Sequence, residues 1–341
     1  MALRVGLTYN VKTEYQLRPD DPPDLIAEFD HEETVNHIEA AVREAGHAPV
    51  KIGNARKLLE RMGAIEADIV FNIAEGYEGR SRESQVPMLL EMARTPYVGS
   101  DGLTLGLTLD KVLTKKVLIA EGIPTPRYAE IDPNTAWTVD LTYPVIVKLR
   151  CEGSSKGLTP QSVVDTLEQL KAQVAHLAQT YKDAPMFVEE FIQGEEFTVA
   201  LIGNEHPEIF PVCQIMLDGT TDLGRNFFHF AYLRAGADYI CPAQIPDALA
   251  AQMQALALRT FRAVECRDFG RVDFRVDKQG TPYVLEINPL PSLSTEDVFM
   301  FVAKTKGWTH HQIIAKILET AIARCGLNGY HASSASTAQS R

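Results

Sequence analysis

The sequence predicts a mixed α/β protein built from more than one packed unit. Segments typical of strands and helices alternate along the first hundred residues, and a chain of 341 residues is too long for one ordinary hydrophobic core. Hydrophobic residues make up 45% of the chain and charged residues 23%, which is typical of a globular protein. We therefore expect an α/β architecture with two or three units.

The first hundred residues predict a small parallel sheet. The segments RVGLTYN, ADIVFNIAEG and PYVGS are typical of strands, and helical segments lie between them. Asp30 as the N-cap and Gly46 as the stop bound the first of these helices. A β-α-β-α-β order favours parallel pairing, because a parallel connection needs a crossover segment such as a helix.

The remaining chain predicts further helices and strands, followed by a tail. In order, these are a helix over 104–122, a strand and Gly/Ser loop over 143–157, a helix over 162–181, strands with glycine turns over 186–288, a helix inserted among them over 246–266, and a closing helix over 309–326. The tail, residues 329–341, is polar and of low complexity, so we expect it to be disordered.

Composition and charge argue against several kinds of partner. The net charge is −12 and the isoelectric point is about 5.3, whereas binding nucleic acid or an anionic membrane requires a basic face. No apolar run approaches the roughly 20 residues that span a bilayer, and no signal peptide is visible. We expect a cytoplasmic protein with small-molecule partners, no nucleic acid and no membrane.

The cysteines do not predict a metal site or a disulfide framework. The chain has five of them, which is an odd number, and they are scattered without a Cys-x-x-Cys pair. A reducing compartment is the simplest interpretation, with the thiols buried as small hydrophobic groups.

The segment GRVDFRVDKQGTPYVLEINPLPSLS places polar side chains at alternate positions of a predicted hairpin. They are Arg271 and Asp273 on one strand, and Glu286 and Asn288 on the other. With DKQG as the loop, Asp273 would lie opposite Val284 and Arg271 opposite Glu286, so all four side chains would share a face. Two carboxylates and an amide oxygen are suitable ligands for Mg²⁺. The alternative is a solvated face with an Arg271–Glu286 ion pair.

Three further motifs have residue types that suit a nucleotide. A buried strand ends in a lysine and a Gly/Ser loop, whose amides and hydroxyls can surround phosphate oxygens. Clustered glutamates could hold an adenine amino group and ribose hydroxyls. The candidates are Lys111, Lys148, Ser154, Ser155, Glu189, Glu190 and Glu196. Each motif alone is also typical of a flexible loop or a solvated surface.

Taken in order, these segments resemble the ATP-grasp superfamily, and within it the D-alanine–D-alanine ligase-like family. The resemblance extends from Ile69 to Gly326 and rests on VFN, PYVGSD, TLDK, PVIVKLRCEGSSKG, VEEFIQGEEFTV, YLRAGADYICPA, GRVDF and LEINPLP. It implies an ATP-grasp fold of three α/β subdomains, with ATP between the central and C-terminal units. The implied domains are an N-terminal unit over 1–98, a central unit over 99–185 and a C-terminal unit over 186–328, before the tail.

The resemblance also implies a role for each matching residue. Lys111, Lys148, Ser154 and Ser155 correspond to phosphate-binding positions, Glu189 and Glu190 to the adenine hinge, Glu196 to the ribose ligand, and Asp273, Glu286 and Asn288 to ligands of Mg²⁺ or Mn²⁺. Arg271 resembles the arginine that stabilises a tetrahedral intermediate, and Tyr232 resembles a tyrosine that meets Ser154 when the site closes.

The reaction that the family implies has two steps. A substrate carboxylate attacks the γ-phosphate of ATP and forms an acyl phosphate. An amine then attacks the acyl carbon, phosphate leaves and an amide remains. Phosphorylation is needed because a carboxylate has no good leaving group, and the protein positions the reactants and neutralises charge.

The sequence departs from the family in a predicted mobile loop. Ala231 stands where a phosphate-clamping lysine is usual, so we expect Arg225 or Arg234 to supply the missing charge.

It also departs in the residues that would bind the substrates. In the N-terminal loop, Glu14 could bind an ammonium group, or the inserted acidic loop could form part of a different pocket. Asp297 stands where a serine usually holds a carboxylate. Either the substrates are not two D-alanines, which we favour, or Asp297 points away and Ser292 or Ser294 acts instead. Arg80 and Arg82 are further candidates for binding a carboxylate.

The sequence leaves alternatives for the biological role. Cell-wall D-alanyl-D-alanine synthesis is one, and an amino acid ligase of specialised metabolism, of the mycosporine or dipeptide type, is another. A catalytically silent ATP-binding regulator is a third, because of Ala231. Dimers are common in the family that the sequence resembles, which makes a homodimer one option for the assembly.

Overall fold

The computed structural model describes residues 2–131, 140–182, 184–235 and 238–328. The strands in these ranges form three sheets with helices against them, so the predicted α/β fold class is confirmed. The predicted tail, residues 329–341, lies outside the described residues. No helix within the described ranges combines the length and the apolar composition needed to cross a bilayer.

The first sheet is the predicted parallel one. Its strands are β1 (Arg4–Tyr9), β2 (Ala48–Gly53), β3 (Ile69–Ile73) and β4 (Tyr97–Val98), and its helices are α1 (Glu32–Glu44), α2 (Ala55–Glu60) and α3 (Gln85–Met92). The order is β2-β1-β3-β4, with all neighbours parallel. The strand order reverses between β1 and β3, and ligands of such sheets bind beyond the carboxyl ends of the strands at this point.

The first helix begins at Glu32, one residue later than a cap at Asp30 predicts. Its N-cap is His31, which makes no side-chain cap hydrogen bond. Asp30 is held elsewhere, because its amide donates to Asn10 O and its carbonyl accepts from Lys12 N. The predicted cap was therefore wrong, whereas Gly46 ends the helix with the expected positive φ of 84°.

The second sheet is antiparallel, in the order β5-β8-β6-β7. Its elements are α4 (Gly102–Leu109), α5 (Lys111–Ala120), β5 (Tyr128–Ile131), β6 (Val145–Leu149), β7 (Val163–Val164), α6 (Leu167–Tyr181) and β8 (Met186–Glu190). The predicted helix over 104–122 is divided at Asp110, whose side chain accepts from Leu113 N and caps α5. The boundary that we predicted between the central and C-terminal units, at residue 185, falls just before β8. β8 nevertheless pairs with β6 of the second sheet.

The third sheet has the order β12-β11-β9-β13-β14, with β10 against β9. Its elements are β9 (Gly194–Ile202), β10 (Glu208–Ile209), β11 (Cys213–Met216), α7 (Phe230–Ala235), β12 (Asp238–Ile240), α8 (Asp247–Ala263), β13 (Phe269–Asp277) and β14 (Pro282–Asn288). Two helices, α9 (Val298–Thr305) and α10 (His310–Arg324), follow it. Ile317 and Leu318 of α10 share a core with Ile38 and Val42 of α1, so the last helix packs on the first unit.

The β13–β14 hairpin has a different register from the predicted one. Asp273 lies opposite Glu286 rather than Val284, and Arg271 lies opposite Asn288 rather than Glu286. Five residues separate the last paired positions across the turn, which by itself would move Glu286 to the other face. A bulge between Asp273 and Phe274 shifts the pairing by one residue and restores the shared face.

Two cysteines form a disulfide that the sequence did not predict. Cys213 and Cys241 lie directly across β11 and β12, since Gln214 pairs with Ile240, and their Cα atoms are 4.5 Å apart. Spacing along the chain could not reveal this cross-strand neighbour. The other cysteines are buried or half-buried, as expected.

Candidate functional site

One face of the β13–β14 hairpin brings polar side chains into contact. The Asp273 carboxylate accepts two hydrogen bonds from the Arg271 guanidinium, both of 2.9 Å. Asn288 Nδ2 donates to the same carboxylate at 2.8 Å, and Thr198 Oγ1 of β9 donates to it at 2.7 Å. Burial raises the pKa of Asp273, although the Arg271 guanidinium opposes this shift. Three predicted site residues are thus in direct contact.

Glu286, opposite Asp273, faces the first residue of α5. Lys111 Nζ lies 2.9 Å from Glu286 Oε2 and donates to Glu152 O of the Gly/Ser loop at 2.8 Å. Burial by itself would raise the pKa of Glu286, but the Lys111 ammonium outweighs it and lowers the pKa to about 2. Glu286 is therefore ionised at neutral pH, and Lys111 joins the hairpin to the loop.

A buried glutamate lies between two lysines on the second sheet. Glu189 Oε1 is 2.6 Å from Lys148 Nζ, and Oε2 is 2.7 Å from Lys115 Nζ. Burial would raise the pKa of Glu189, yet the two ammonium groups keep it below its usual range. Sequence reasoning missed Lys115, although its spacing of four residues from Lys111 places both on one side of α5.

Glu190 does not join this cluster, because successive side chains of a strand face opposite sides. Its carboxylate accepts from Thr142 N at 2.8 Å and from Arg127 Nη1 at 3.3 Å. It borders a shallow cavity of about 320 Å³ that residues 190–193 and 277–279 help to line. The predicted hinge pair therefore divides, with only Glu189 directed toward Lys148.

Glu196 is paired with a buried arginine that sequence reasoning missed. Arg275 Nη1 lies 2.6 Å from Glu196 Oε1, while Phe228 N donates to Oε2 at 3.0 Å. Arg275 is 2% exposed. Its guanidinium also donates to four backbone carbonyls, those of Ile192, Gly194, Gly224 and Asn226. The signal was present in the sequence, since Arg275 continues the alternation of Arg271 and Asp273.

The Gly/Ser loop turns at two consecutive serines. Ser154 has φ of 48° and Ser155 has φ of 54°, in the left-handed region that non-glycine residues rarely adopt. Within the described part of the chain, the amides of these two serines donate no hydrogen bond. They are therefore available to an anion such as a phosphate group.

The predicted mobile loop lies between β11 and β12. Tyr232 OH donates to Asp218 Oδ2 at 2.5 Å and accepts from Asn226 Nδ2 at 2.9 Å. The described residues place no contact between Tyr232 and Ser154, so that closing contact stays a prediction. Arg225 pairs with Asp165 at 2.6 Å, and its role in replacing the missing lysine stays a prediction.

For the other candidate, Arg234, the side chain lies outside the described residues.

Two of the predicted substrate residues are engaged away from the hairpin. The Glu14 carboxylate contacts Lys57 Nζ at 2.6 Å and Asn54 Nδ2 at 3.1 Å, at the start of α2. Arg80 is 63% exposed and pairs with Asp110 at 2.9 Å. Neither side chain presents an unpaired charge to the site. The inserted loop brings a different glutamate to the Gly/Ser loop. Patterns between residues close in the sequence do not determine the path of this loop.

That glutamate is Glu28, and it occupies the guanidinium of Arg82. Arg82 Nη2 lies 2.5 Å from Glu28 Oε1, and Arg82 Nη1 donates to Cys151 O at 2.8 Å. Arg82 is buried, so it supports the Gly/Ser loop instead of offering a free fork to a substrate carboxylate. Glu28 was not predicted, because its loop partners are more than a hundred residues away.

Asp297 faces the site. Its Oδ1 lies 3.3 Å from Arg271 Nη1, and the same atom accepts from Val298 N and caps α9. The side chain is therefore directed to the arginine of the hairpin and does not point away. Burial raises the pKa of nearby Asp30 to about 7, and the Asp297 carboxylate contributes to that shift.

Two acids with raised pKa values predict an unusual pH dependence of stability. Burial raises the pKa of both Asp30 and Glu83 to about 7. Between their ordinary values, 3.8 and 4.5, and pH 7, these two groups bind more protons in the folded protein than in the unfolded chain, so their contribution to stability falls as the pH rises through this window. Glu28 and Glu286, with pKa values of about 2, act oppositely and lose their contribution as the pH falls below 4.5.

We therefore expect the melting temperature of the double variant Asp30→Asn/Glu83→Gln to change less with pH than that of the parent between pH 4.5 and 7. Thermal unfolding followed by circular dichroism measures this directly. Equal slopes for the two proteins would contradict the protonation of these acids in the folded state.

The hairpin face fits a divalent cation that brings other oxygen ligands with it. Asp273 and Glu286 are carboxylates, Asn288 is an amide, and the two carboxylate side chains are 19% and 31% exposed. In the described ranges, no group of three or more His, Cys, Asp or Glu side chains could form a metal site alone. Mg²⁺ commonly combines a few protein carboxylates with phosphate oxygens and water. The donor set fits that pattern.

Comparison with known proteins places these residues in context. Residues 117–319 match the family model described as the D-ala D-ala ligase C-terminus. The chain is 38% identical to uncharacterized protein y4sG of Sinorhizobium fredii, over 86% of this chain and 88% of that protein. It is 32% identical to a D-alanine–D-alanine ligase of Pelotomaculum thermopropionicum, over 84% of this chain and 90% of the relative.

A solved structure shares the fold. The crystal structure of D-alanine–D-alanine ligase from Bacillus anthracis, complexed with ATP, superimposes with a TM-score of 0.75 at 22% sequence identity. The superposition covers 96% of this chain and 100% of the other.

Proposed function

Because the chain belongs to the D-alanine–D-alanine ligase family, it is an ATP-dependent ligase that forms a C–N bond, and we propose that it does so through an acyl phosphate. The likeness to solved ligase structures also confirms the predicted ATP-grasp fold. The observation that carries the proposal is the convergence of Lys111 with Glu286 and the Gly/Ser loop, next to the Asp273–Arg271 pair. Cations, carboxylates and unpaired amides are thereby close enough to serve one triphosphate.

We assign the residues the roles that the family resemblance implies for their positions. Lys111, Lys148 and the amides of Ser154 and Ser155 bind phosphate oxygens, while Glu189 and Glu196 hold the nucleoside. Asp273, Glu286 and Asn288 would hold Mg²⁺ or Mn²⁺, which would offset the charge of the triphosphate. Glu190 contributes to the adenine hinge through its backbone in β8, because its side chain faces the other side of the strand.

The two bond changes follow from this placement. A carboxylate oxygen of the first substrate attacks the γ-phosphorus, the bond to the β-phosphate bridging oxygen breaks, and ADP leaves. The amine of the second substrate then attacks the acyl carbon, and Arg271 stabilises the negative oxygen of the tetrahedral intermediate. Phosphate leaves with the former carboxylate oxygen, and the amine loses a proton as the amide forms.

We infer that the amine substrate does not carry a carboxylate beside its amino group. The Asp297 carboxylate, directed to Arg271, would face such a group. Two like charges ~4 Å apart repel by about 4 kcal/mol at an effective dielectric constant near 20. The acceptor is therefore an amine, an amino acid amide or a cationic compound rather than a second D-alanine.

The substitution Asp297→Ser is expected to change acceptor choice. Serine can still cap α9, so the helix is retained while the repelling charge is removed. We expect the ratio of kcat/KM for D-alanine to that for D-alaninamide to rise at least tenfold, as a loss of ~1.4 kcal/mol or more of repulsion requires. The measurement is amide formation with each acceptor by mass spectrometry.

A matched control is Asp101→Ser, which removes a carboxylate from the N-cap of α4. It should leave the acceptor ratio unchanged. If Asp297→Ser also leaves the ratio unchanged, Asp297 does not set acceptor choice.

A screen for ADP release tests the proposed function itself. Pairs of D- and L-amino acids, their amides and simple amines are incubated with ATP and Mg²⁺, and products are identified by mass. We expect at least one pair to give one amide and one phosphate per ADP. Two D-alanines as the best pair would indicate a cell-wall role and refute the inference about Asp297, whereas another pair would indicate specialised metabolism. Phosphate release with no amide from any pair would contradict the acyl-transfer proposal.

Location and assembly stay predictions. We propose that the enzyme works in the cytoplasm, where ATP is supplied. Fractionation of intact cells should recover the protein in the cytoplasmic fraction, and its recovery outside that fraction would contradict this location. A homodimer would be seen as twice the chain mass in sedimentation.

A further inference from the structure

An acidic segment of the N-terminal unit, residues 24–28, contacts the Gly/Ser loop near its centre. Glu28 Oε1 accepts a hydrogen bond from Gly153 N at 2.7 Å. The other oxygen, Glu28 Oε2, accepts from Lys156 Nζ at 2.8 Å. One carboxylate thus holds both sides of the turn at Ser154 and Ser155.

The same segment holds the end of the loop. Asp24 Oδ2 accepts from Gly157 N at 2.8 Å and from the Tyr181 hydroxyl at 2.6 Å. Tyr181 is the last residue of α6, so this contact also ties the loop to the second sheet's helix. Both contacts cross from the N-terminal unit to the predicted central unit.

The Glu28 contact is enclosed. The side chains of Glu28, Lys156 and Arg82 are 4%, 6% and 7% exposed. Burial would raise the pKa of Glu28, but Lys156 and Arg82 lower it to about 2, so the carboxylate stays charged. Removing a partner from such a buried cluster leaves an uncompensated charge, which makes the arrangement persistent.

The loop residue at the contact is a glycine, and the carboxylate lies close to it. A Cβ atom at Gly153 would lie 2.8 Å from Glu28 Oε1, which is too close for the present position of the carboxylate. Meanwhile the amides of Ser154 and Ser155 donate no hydrogen bond among the described residues. Glu28 therefore occupies one side of the loop and leaves the serine amides for a ligand.

We propose that Glu28 and Asp24 are positioning residues that preset the Gly/Ser loop for the phosphates of ATP. The proposal rests on the proposed function, because that function assigns the loop to phosphate binding. A loop already held in its binding position loses less conformational freedom when the nucleotide arrives, so the nucleotide binds more tightly. The holding groups belong to the unit that carries the inserted loop, so the position of that unit also controls ATP affinity.

The test is Glu28→Gln, which keeps the shape of the side chain and removes its charge. In the ATP-free protein we expect amide exchange of residues 151–158 to become at least tenfold faster. In turnover we expect KM for ATP to rise at least tenfold and kcat to change less than about threefold, because the lost interaction acts equally before and during phosphoryl transfer.

The matched control is Glu39→Gln on α1, a glutamate paired with Arg43 and Lys51 at the surface. It should alter neither exchange at the loop nor KM. If Glu28→Gln does not fold, Asp24→Asn and Tyr181→Phe test the same claim from the other end of the loop, with the same expected changes.

Unchanged exchange and KM in these variants would overturn the proposal. A fall in KM would also overturn it, because Glu28 would then compete with the nucleotide. The exchange measurement needs no turnover, so it separates this inference from the ligase function. Faster exchange in a protein that forms no amide would retain the positioning contact and refute the acyl-transfer proposal.

Discussion

Replacing Glu286 with glutamine is expected to lower kcat by ~10²–10³, the cost of removing one electrostatic group from a preorganised site. The carboxylate is ionised, pairs with Lys111 and lies opposite Asp273 in the hairpin. Glutamine keeps its shape but removes the charge that would hold the cation and orient Lys111. Steady-state turnover at saturating ATP measures the loss. A titration of Mg²⁺ should show half-maximal turnover at a higher Mg²⁺ concentration than in the parent.

The control for this change is Glu121→Gln. Glu121 is exposed at the C-cap of α5, the helix that begins with Lys111, and should give parental kinetics. Circular dichroism and the melting temperature establish that both variants are folded. Retention of more than a tenth of the parental kcat by a folded Glu286→Gln variant would remove Glu286 from the catalytic centre.

Replacing Arg275 with methionine is expected to destabilise the third sheet by ~3–5 kcal/mol. The side chain is 3% exposed and pairs with Glu196. Its guanidinium donates to the carbonyls of Ile192 and Gly194, where β9 begins, and to those of Gly224 and Asn226 in the loop after β11. Methionine would leave a buried carboxylate without its cation, and this uncompensated charge dominates the loss. Thermal and urea unfolding measure it, and the variant should also lose affinity for ATP.

Two further variants distinguish this cause from a general loss of packing. Arg127→Met removes an arginine that is 57% exposed and pairs with Glu190, so it should cost less than ~1 kcal/mol. The double variant Arg275→Met/Glu196→Leu removes the stranded charge and should be more stable than Arg275→Met alone. Equal stability of the single and double variants would contradict the assigned cause.

The charged face of the hairpin was predictable, but its register was not. Alternation along each strand places Arg271 with Asp273 and Glu286 with Asn288. Which of these pairs lie opposite each other depends on the length of the turn and on the bulge beside Phe274, whose effects on the shared face cancel. The predicted face was therefore right although both predicted cross-strand partners were wrong.

Whether the other site residues could be predicted depends on how far apart their contacts are in the sequence. Lys115 and Arg275 continue local spacings that the sequence displays, so they could have been found. Glu28 could not, because it meets Gly153 across 125 residues of chain, and the fold of the inserted loop decides which acid arrives there. For the same reason Glu14, a reasonable choice by position, is occupied by Lys57 at α2.

Transfer of a carboxylate oxygen to phosphate is the most direct measurement of the chemistry. The carboxylic substrate found in the screen is labelled with ¹⁸O and incubated with the enzyme, ATP, Mg²⁺ and the amine, and the released phosphate is weighed by mass spectrometry. Attack of the carboxylate on the γ-phosphorus predicts one ¹⁸O atom in each phosphate released per amide formed. Unlabelled phosphate accompanying labelled amide would contradict an acyl phosphate and the roles given to Lys111, Asp273 and Glu286.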